Sequence, residues 1–361
     1  MPTVVLKIHY RSAFRKLIAF SNNAFYKGQL NVPVLHPTSE IDRQRPLEVI
    51  QVNGLYEDRM NKPEADTVVN LLASIWCSQE RPVPSIGVVT FNRNQADLIE
   101  ESLELRAEED EIFRLAYIRE RRRSEFGEDM GFFVKNVENV QGDERDQIIF
   151  STTFGRNKKG TFRRNFGVLG QSGGERRLNV AITRARQKVT LLTSMPLEEI
   201  SDLVGKVAKP QQPRDFLQLY LAYAIALSGG QHVRSQEILS QVLGERTQTL
   251  GNISMATDGL LRSVASFIES MGLTPTSSND GSAFALDFAI RHERKGTFGI
   301  GIECGTQRHP ILVTARAREI WPRSVTQKNI PTIHRVSIRG WYHNREAEQN
   351  RLRQAIEEAL T

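Results

Sequence analysis

The sequence predicts an α/β protein in which a mostly parallel sheet is followed by a smaller α/β segment, and three observations support this. Short apolar runs alternate with helix-like stretches at residues 86–90, 147–152 and 189–193. This alternation is typical of a parallel sheet covered by helices on both faces. The final part changes character, with apolar runs at 283–290 and 297–303 separated only by a polar turn. The length of 361 residues allows two or three domains.

The elements of the first part follow from apolar spacing and from residues that favour helix ends. An amphipathic helix is predicted at 61–76, with Pro63 in its first turn and with Glu64 and Asp66 near the positive end of the helix dipole. Further predicted elements are a helix at 14–25, strands at 47–52 and 132–134, a helix from 95, and a charged helix at 102–123. The arginine-rich run at 119–123 could bind phosphates, but a solvated helical face is favoured.

The second part begins after a helical, connective stretch. Prolines and a Ser-Gly-Gly sequence break this stretch, which spans 201–252. Beyond it we predict a helix at 260–272 that ends at Gly272. Strands at 283–290, 297–303 and 333–338 follow, and a helix at 345–360 closes the chain segment. The predicted domains are therefore 1–200, a connector at 201–252, and 253–361.

Composition narrows the class of protein. The formal net charge is +6, which suits a nucleic-acid partner, although many basic proteins bind none. The two cysteines, Cys77 and Cys304, lack metal-ligand spacing and do not form a disulfide framework, so a reducing cytoplasm is the simple interpretation. We find no signal-peptide pattern and no apolar stretch near the roughly 20 residues that span a bilayer.

Four segments in a fixed order carry the main functional signal. They lie at 8–12 (IHYRS), 87–95 (GVVTFNRNQ), 137–151 (VENVQGDERDQIIFS) and 173–186 (GGERRLNVAITRAR). In order and spacing they resemble the second RecA-like domain of superfamily 1 helicases, most of all the branch that includes the nonsense-mediated-decay helicase. Their variants are similar to those of large bacterial helicase–nuclease fusions. The resemblance covers residues 6–195.

The resemblance implies a nucleotide site built on arginines. ATP hydrolysis between two RecA-like lobes needs cations that neutralise charge developing on the γ-phosphate, and the permanently charged guanidinium fork suits this task. By resemblance Arg184 is the arginine finger and Arg11 a second phosphate-facing arginine. Gln141, Gly142 and Glu144 belong to the segment that couples nucleotide to nucleic acid. Taken singly, each of these residues could equally be an ordinary surface group or turn.

The same resemblance implies a nucleic-acid contact surface and a missing partner. Thr90, Asn92 and Thr152 correspond to residues that meet the nucleic-acid backbone. No segment reads G-x-x-x-x-G-K-[ST], the phosphate-binding P-loop. We therefore expect that the chain alone does not hydrolyse ATP, and that ATP and Mg²⁺ are shared with a P-loop-bearing lobe on another chain. A split enzyme and a non-catalytic nucleic-acid-binding remnant both remain open.

The last part resembles the Vsr-like branch of the PD-(D/E)XK nucleases. The matching stretches include 284–290 and 299–304, and they imply that Asp287 and Glu303 hold Mg²⁺, because two acids at adjacent strand ends can bind this ion and activate water. A second acid expected after Cys304 is absent, and Gln327 and Lys328 are candidates for the late-site residues. An active nuclease and a decayed module that binds DNA or packs are both open.

Overall fold

The computed structural model describes residues 9, 11–30, 45–78, 82–125, 127–203, 208–244, 259–277, 286–294, 297–304 and 330–361. The chain divides into two compact units. The larger unit comprises Lys16–Gly28 and Arg45–Arg246, and the smaller one comprises Met1–Arg15, Gln29–Gln44 and Thr247–Thr361. Within the described ranges, no helix is both long and apolar enough to cross a membrane.

The larger unit is built on a parallel sheet, as the sequence predicts. Its strands are β1 (Leu47–Gln51), β2 (Ile86–Thr90), β3 (Ser124–Glu125), β4 (Glu128–Asp129), β5 (Phe133–Asn136), β6 (Arg145–Ser151) and β7 (Ala185–Thr193). Five of these described strands form a sheet in the order β1-β7-β6-β2-β5, and all four pairings are parallel. Every residue of β2 is buried, which explains why a parallel strand reads as a continuous apolar run.

Helices cover the sheet. They are α1 (Arg15–Phe25), α2 (Lys62–Trp76), α3 (Arg93–Glu109), α4 (Glu111–Arg121), α5 (Gly174–Ile182), α6 (Pro213–Ser228) and α7 (His232–Leu243). The helix predicted at 102–123 is in fact the end of α3 followed by α4. The break occurs because Asp110 adopts an extended backbone and its side chain accepts a hydrogen bond from the N–H of Phe113, which caps α4.

An aromatic cluster forms the core beneath α2 and α4. The ring of Trp76 lies 5.7 Å from that of Phe113, 6.0 Å from that of Tyr117 and 4.8 Å from that of Phe132, measured between centroids. Full burial of an apolar side chain of this size contributes roughly 1.5–3 kcal/mol. Three arginines at or just after the end of α4 pair with glutamates, as in Arg121–Glu100 at 2.9 Å. The guanidinium of Arg121 also lies over the ring of Tyr117, 5.2 Å from its centroid.

The predicted connector helices pack onto this unit. Phe20 of α1 contacts Tyr220 and Tyr223 of α6, at centroid distances of 5.3 and 6.1 Å. At the end of α6 the hydroxyl of Ser228 accepts a hydrogen bond from the N–H of Val49 in β1, at 3.0 Å. This contact satisfies a backbone donor on the edge strand of the sheet.

The smaller unit has its own sheet and core. Its described elements are α8 (Gly259–Ser270), β8 (Thr276–Ser277), β9 (Phe288–Arg291), β10 (Phe298–Glu303), β11 (Thr332–Arg335), α9 (Ile338–His343) and α10 (Arg345–Leu360). The strand order is β11-β10-β9-β8, with β10 parallel to β11 and the other pairings antiparallel. Buried Val264, Phe288, Ile300, Trp341 and Leu352 contribute to its core.

One boundary in this unit differs from the sequence prediction, and another cannot be compared. The strand predicted at 333–338 ends at Arg335, because the hydroxyl of Ser337 accepts a hydrogen bond from the N–H of Gly340 and begins α9. Residues 283–285 of the strand predicted at 283–290 lie outside the described residues. The α/β class of both units is as predicted.

A close backbone approach explains Gly174, the first residue of α5. A Cβ atom on Gly174 would lie 2.3 Å from the carbonyl oxygen of Leu169, so no side chain fits without moving the backbone. We expect Gly174→Ala to lower the free energy of unfolding by about 1–3 kcal/mol, the usual cost of overpacking. Urea denaturation followed by circular dichroism measures it.

The matched control is Gly170→Ala. A Cβ atom there meets its nearest neighbour at 3.5 Å, an ordinary contact, and Gly170 already has a helical backbone conformation. This variant should stay within about 0.5 kcal/mol of the natural chain. Equal losses in the two variants would contradict the steric explanation.

Candidate functional site

The predicted site residues of the larger unit lie at two opposite edges of its sheet. Because its five described strands are parallel, their carboxyl ends meet at one edge, here called the carboxyl edge, and their amino ends meet at the amino edge. Gln141, Gly142 and Glu144 precede β6, and Arg184 directly precedes β7, so the predicted nucleotide residues of this unit gather at the amino edge. The predicted nucleic-acid residues follow β2 and β6 at the carboxyl edge.

At the amino edge two segments are held side by side. The N–H of Arg145 donates to the carbonyl of Arg184 at 3.3 Å. The guanidinium of Arg186 donates two hydrogen bonds to one carboxylate oxygen of Glu144, at 3.0 Å from Nε and 2.5 Å from Nη2. Burial alone would lower the pKa of Arg186, but the bonds and charge of Glu144 outweigh it and raise that pKa above its ordinary value. The pair fixes the loop before β6 against β7.

Arg184 itself is half-buried and folded back along α5. Its Nε donates to the carbonyl of Val180 at 2.6 Å, and its Nη2 donates to the hydroxyl of Thr183 at 3.0 Å. A cation at this place also interacts favourably with the negative end of the α5 dipole. The guanidinium is thus held at the amino edge by its own helix.

Sequence reasoning gave no role to Arg145 or Arg186. Arg145 donates from Nε and Nη2 to the carbonyl of Gly131, at 2.9 and 2.5 Å, and from Nη1 to the carbonyl of Glu144 at 2.7 Å. A role for Arg186 could have been predicted from its spacing. Residues two apart in an extended segment share a face, so Arg186 is expected on the same side as Arg184. The contacts of Arg145 had no such signal, since they depend on where the loop at Gly131 folds.

At the carboxyl edge the predicted residues are used mainly inside the fold. Thr90 is fully buried and its hydroxyl donates to the carbonyl of Asn92 at 2.6 Å. Thr152 is also fully buried, and its hydroxyl donates to that of Thr193 at 3.0 Å. Asn92 is half-buried, accepts from the N–H of Gln95 at 2.9 Å and donates to the carbonyl of Arg59 at 3.0 Å. Nucleic-acid contact by these three residues stays a prediction.

A buried acid, Glu64, connects the elements at this edge. The sequence analysis placed it at a helix N-terminus but did not predict its burial. Its carboxylate accepts from the hydroxyl of Ser151 at 2.7 Å and from the N–H of Thr153 at 2.8 Å. Weaker contacts at 3.4 Å reach the amide of Asn61 and the hydroxyl of Thr152. Burial raises the pKa of Glu64, and these donors only partly offset the shift.

The bond to Thr153 stabilises an unusual backbone. Thr153 has a φ of 68°, in the left-handed region that a β-branched residue rarely adopts. Such conformations cost about 1–3 kcal/mol and persist only when the surroundings hold them. The sequence did contain a signal for Glu64: its spacing of four to Val68 and eight to Leu72 puts it on the buried stripe of α2.

Arg11 belongs to the smaller unit. It is half-buried and follows His9, whose Nε2 lies 2.9 Å from the hydroxyl of Ser12 and accepts from the N–H of Ser12 at 3.2 Å. Arg184 belongs to the larger unit. Convergence of the two guanidinium groups on one phosphate stays a prediction.

Asp287 directly precedes β9, and Glu303 is the last residue of the neighbouring strand β10. The sequence had predicted that each acid lies on a strand, but β9 begins one residue later. The antiparallel register pairs Ile302 with Phe288, so the next step sets Glu303 opposite Asp287. Asp287 accepts from the N–H of Cys304 at 2.5 Å. The two contacts of Glu303 with Arg335, at 3.1 and 3.0 Å, form an ion pair.

Binding of Mg²⁺ by Asp287 and Glu303 stays a prediction. A hard cation needs several oxygen ligands; Glu303 is paired with Arg335, and the described ranges contain no group of three His, Cys, Asp or Glu side chains able to hold a metal. Gln327 and Lys328 lie outside the described residues.

Comparisons with known proteins agree with this organisation. The family model AAA_12, described as an AAA domain, matches residues 1–196, more than half of the chain. A second model, REase_MTES_1575, matches residues 261–356. An uncharacterized ATP-dependent helicase of Mycoplasma genitalium is 34% identical over 254 residues, 70% of this chain and 21% of that protein. Its Mycoplasma pneumoniae homolog is 37% identical over 227 residues, 63% of this chain and 19% of that protein.

The chain therefore spans about a fifth of the length of these curated relatives. Among solved structures, the C-terminal domain of a possible DNA helicase from Lactobacillus plantarum is 15% identical, and the match covers 55% of this chain and 92% of that one. The TM-score is 0.29, a likeness too weak to support an argument about the fold.

The raised pKa of Glu64 predicts a specific pH dependence. A carboxyl whose folded pKa lies above its ordinary value of 4.5 binds its proton more tightly in the folded state. Its contribution to stability is therefore greatest below pH 4.5 and is lost as the pH rises through the folded pKa. We expect the natural chain to lose stability relative to Glu64→Gln over this window, measured by urea denaturation at a series of pH values.

The amide introduced by Glu64→Gln has one acceptor oxygen fewer than the carboxylate, so the variant loses a constant amount of stability at every pH. Only the change in the free energy of unfolding with pH therefore tests the prediction. Glu104→Gln, on the exposed face of α3, is the control and should run parallel to the natural chain. A Glu64→Gln curve parallel to the natural chain would exclude burial of a titrating carboxyl.

Proposed function

Since the chain belongs to the AAA_12 family of AAA domains, we propose that it is the second RecA-like lobe of a superfamily 1 ATP-dependent helicase, followed by a nuclease-like unit. Its nucleic acid is DNA in preference to RNA. ATP and Mg²⁺ bind between this lobe and a P-loop-bearing lobe that is supplied from outside residues 1–361. Nucleotide meets the amino edge of the sheet, and nucleic acid meets the carboxyl edge.

One observation carries the nucleotide part of the proposal. The loop before β6 and the segment before β7 are fixed together at the amino edge by the Arg145–Arg184 backbone bond and the Glu144–Arg186 ion pair. Arg184 lies beside this fixed base and is held against α5 by its hydrogen bonds to Val180 and Thr183. In phosphoryl transfer the protein mainly positions charges against the developing transition state, so a rigid base is the property that an arginine finger needs.

Arg186 has a positioning role in this proposal. Its guanidinium donates two hydrogen bonds to Glu144 and so ties the loop before β6 to the start of β7. Arg184 donates to the carbonyl of Val180 and to the hydroxyl of Thr183. Because hydrogen bonds from a guanidinium to an ionised acceptor are stronger than those to a neutral one, a phosphate bound at this edge competes with these two acceptors for Arg184.

The test is ATP turnover. The purified chain of residues 1–361 should not hydrolyse ATP, with or without single-stranded nucleic acid. When a P-loop-bearing first lobe of the same family is added, nucleic-acid-stimulated turnover should appear. Arg184→Ala should then lower kcat about 10³–10⁵-fold, the range measured for arginine fingers.

Arg176→Ala is the matched control. Arg176 lies on α5, the helix before Arg184, is highly exposed and lies no closer than 4.0 Å to its acidic neighbour Glu175. Its loss should leave kcat unchanged. Robust turnover by the chain alone, or an unchanged kcat in Arg184→Ala, would overturn the proposal.

For the smaller unit we infer a non-cleaving role in packing or in binding nucleic acid, which the Glu303–Arg335 ion pair favours. A metal-dependent nuclease is the alternative. We expect that supercoiled plasmid incubated with the chain and Mg²⁺ or Mn²⁺ is not nicked, because Glu303 is already neutralised. Agarose electrophoresis measures this, and nicking that disappears in Asp287→Ala and Glu303→Ala would establish the nuclease instead.

A further inference from the structure

A strongly basic loop leaves the carboxyl edge directly after β6. Residues 156–164 carry five cations and no acid. The cations are Arg156, Lys158, Lys159, Arg163 and Arg164. We name this segment the basic loop. Neither the motifs of the sequence nor the nucleotide edge accounts for such a concentration of charge.

The basic loop is ordered by its own hydrogen bonds. The side-chain oxygen of Asn157 accepts from the N–H groups of Lys159 and Thr161, both at 3.0 Å. The N–H of Gly160 donates to the carbonyl of Asn157 at 2.8 Å, and Gly160 has a φ of 74°, a conformation that favours glycine. An antiparallel bridge between Arg156 and Phe162 closes the turn. The loop is therefore a hairpin with a fixed tip.

The base of the hairpin is docked on the larger unit. Arg156 forms a parallel bridge with Leu55, and its carbonyl accepts from the N–H of Tyr56 at 2.9 Å. The neighbouring turn at 57–60 is held by the bond from Asn92 to the carbonyl of Arg59. The hairpin thus projects from the same edge that carries Asn92.

The five cations fall into two groups. Three have acidic partners that anchor the hairpin: Arg156 pairs with Glu199, Lys158 with Glu57, and Arg164 with Asp202. Lys159 and Arg163 are exposed, and within the described residues no ion pair is found for either. Two cations are therefore presented to solvent on a scaffold that the other three hold in place.

We propose that Lys159 and Arg163 bind phosphates of a single-stranded nucleic acid lying along the carboxyl edge. The inference rests on the proposed helicase function, which supplies the nucleic acid. A polyanion suits this tip because two exposed cations with no acid between them attract successive phosphates, and a fixed hairpin loses little entropy on binding. Base identity plays no part, since both contacts go to the backbone.

The experiment measures how the affinity depends on salt. A fluorescein-labelled oligo(dT) strand is titrated with the full chain, without nucleotide, between about 50 and 200 mM salt. Each phosphate contact on a single strand contributes about 0.7 to the slope of log Kobs against log salt. Lys159→Gln/Arg163→Gln should lower the slope by about 1.4 and weaken binding, most of all at low salt.

The matched control removes the same charge elsewhere. Lys209→Gln/Arg234→Gln neutralises an exposed lysine that precedes α6 and an exposed arginine on α7 and should keep the natural slope. Unchanged circular dichroism and thermal midpoints establish that both variants fold.

The outcomes separate the two proposals. If the natural chain binds and the basic-loop variant keeps its slope, the loop inference is wrong while the helicase proposal stands. If the two double variants lose slope equally, the effect is one of net charge and the loop inference is also wrong. If the natural chain does not bind nucleic acid at any salt concentration, both proposals are wrong.

Discussion

The larger unit depends on one buried carboxylate. Glu64 joins the first turn of α2 to the end of β6 and to the residues that follow it. An acid in such a place is costly to bury unless its oxygens are satisfied, and here hydroxyl, amide and backbone donors surround it. Thr153 keeps its left-handed backbone because that carboxylate accepts its N–H. The path of the chain beyond β6, including the basic loop, starts from this point.

The two edges of the sheet are stabilised by different chemistry. Ionic contacts such as Glu144–Arg186 hold the amino edge together, while hydrogen bonds among buried neutral side chains and one acid hold the carboxyl edge together. Glu144, Arg184 and Arg186 at the amino edge remain half-buried. The carboxyl edge instead turns its polar groups inward, and the exposed cations beside it stand on an attached hairpin.

Much of the fold could be predicted, because buried parallel strands and amphipathic helices leave a direct mark on the sequence. The misses have physical reasons. Asp110 stands in an acid-rich run where its capping role is masked by its neighbours. The end of β11 was placed too late because apolar Val336 and Ile338, separated by one polar residue, follow Arg335 in a pattern that also suits a strand. An exposed acid in the first turn of a helix is common, so Glu64 needed no further explanation. Only its position on the buried stripe of α2 indicated that it is buried.

For the candidate sites, the sequence predicted which elements carry the residues but not their partners from other elements. The sequence set Asp287 and Glu303 on neighbouring strands, and their register agrees. Arg335 is distant in sequence, and only the parallel pairing of β10 with β11 brings it opposite Glu303. The same holds for Arg145 and the carbonyl of Gly131. Local patterns reveal which residues share an element, whereas partners from a third element depend on how the whole chain folds.

Strand β6 has a mechanical consequence for the unit. It begins at Arg145 beside the nucleotide candidates and ends at Ser151 beside the buried acid, and it is paired on both sides, with β7 and with β2. It cannot slide lengthwise without breaking two ladders of hydrogen bonds. A displacement at one end of β6 is therefore transmitted to the other end, and the strand moves together with β2 and β7 as a rigid body.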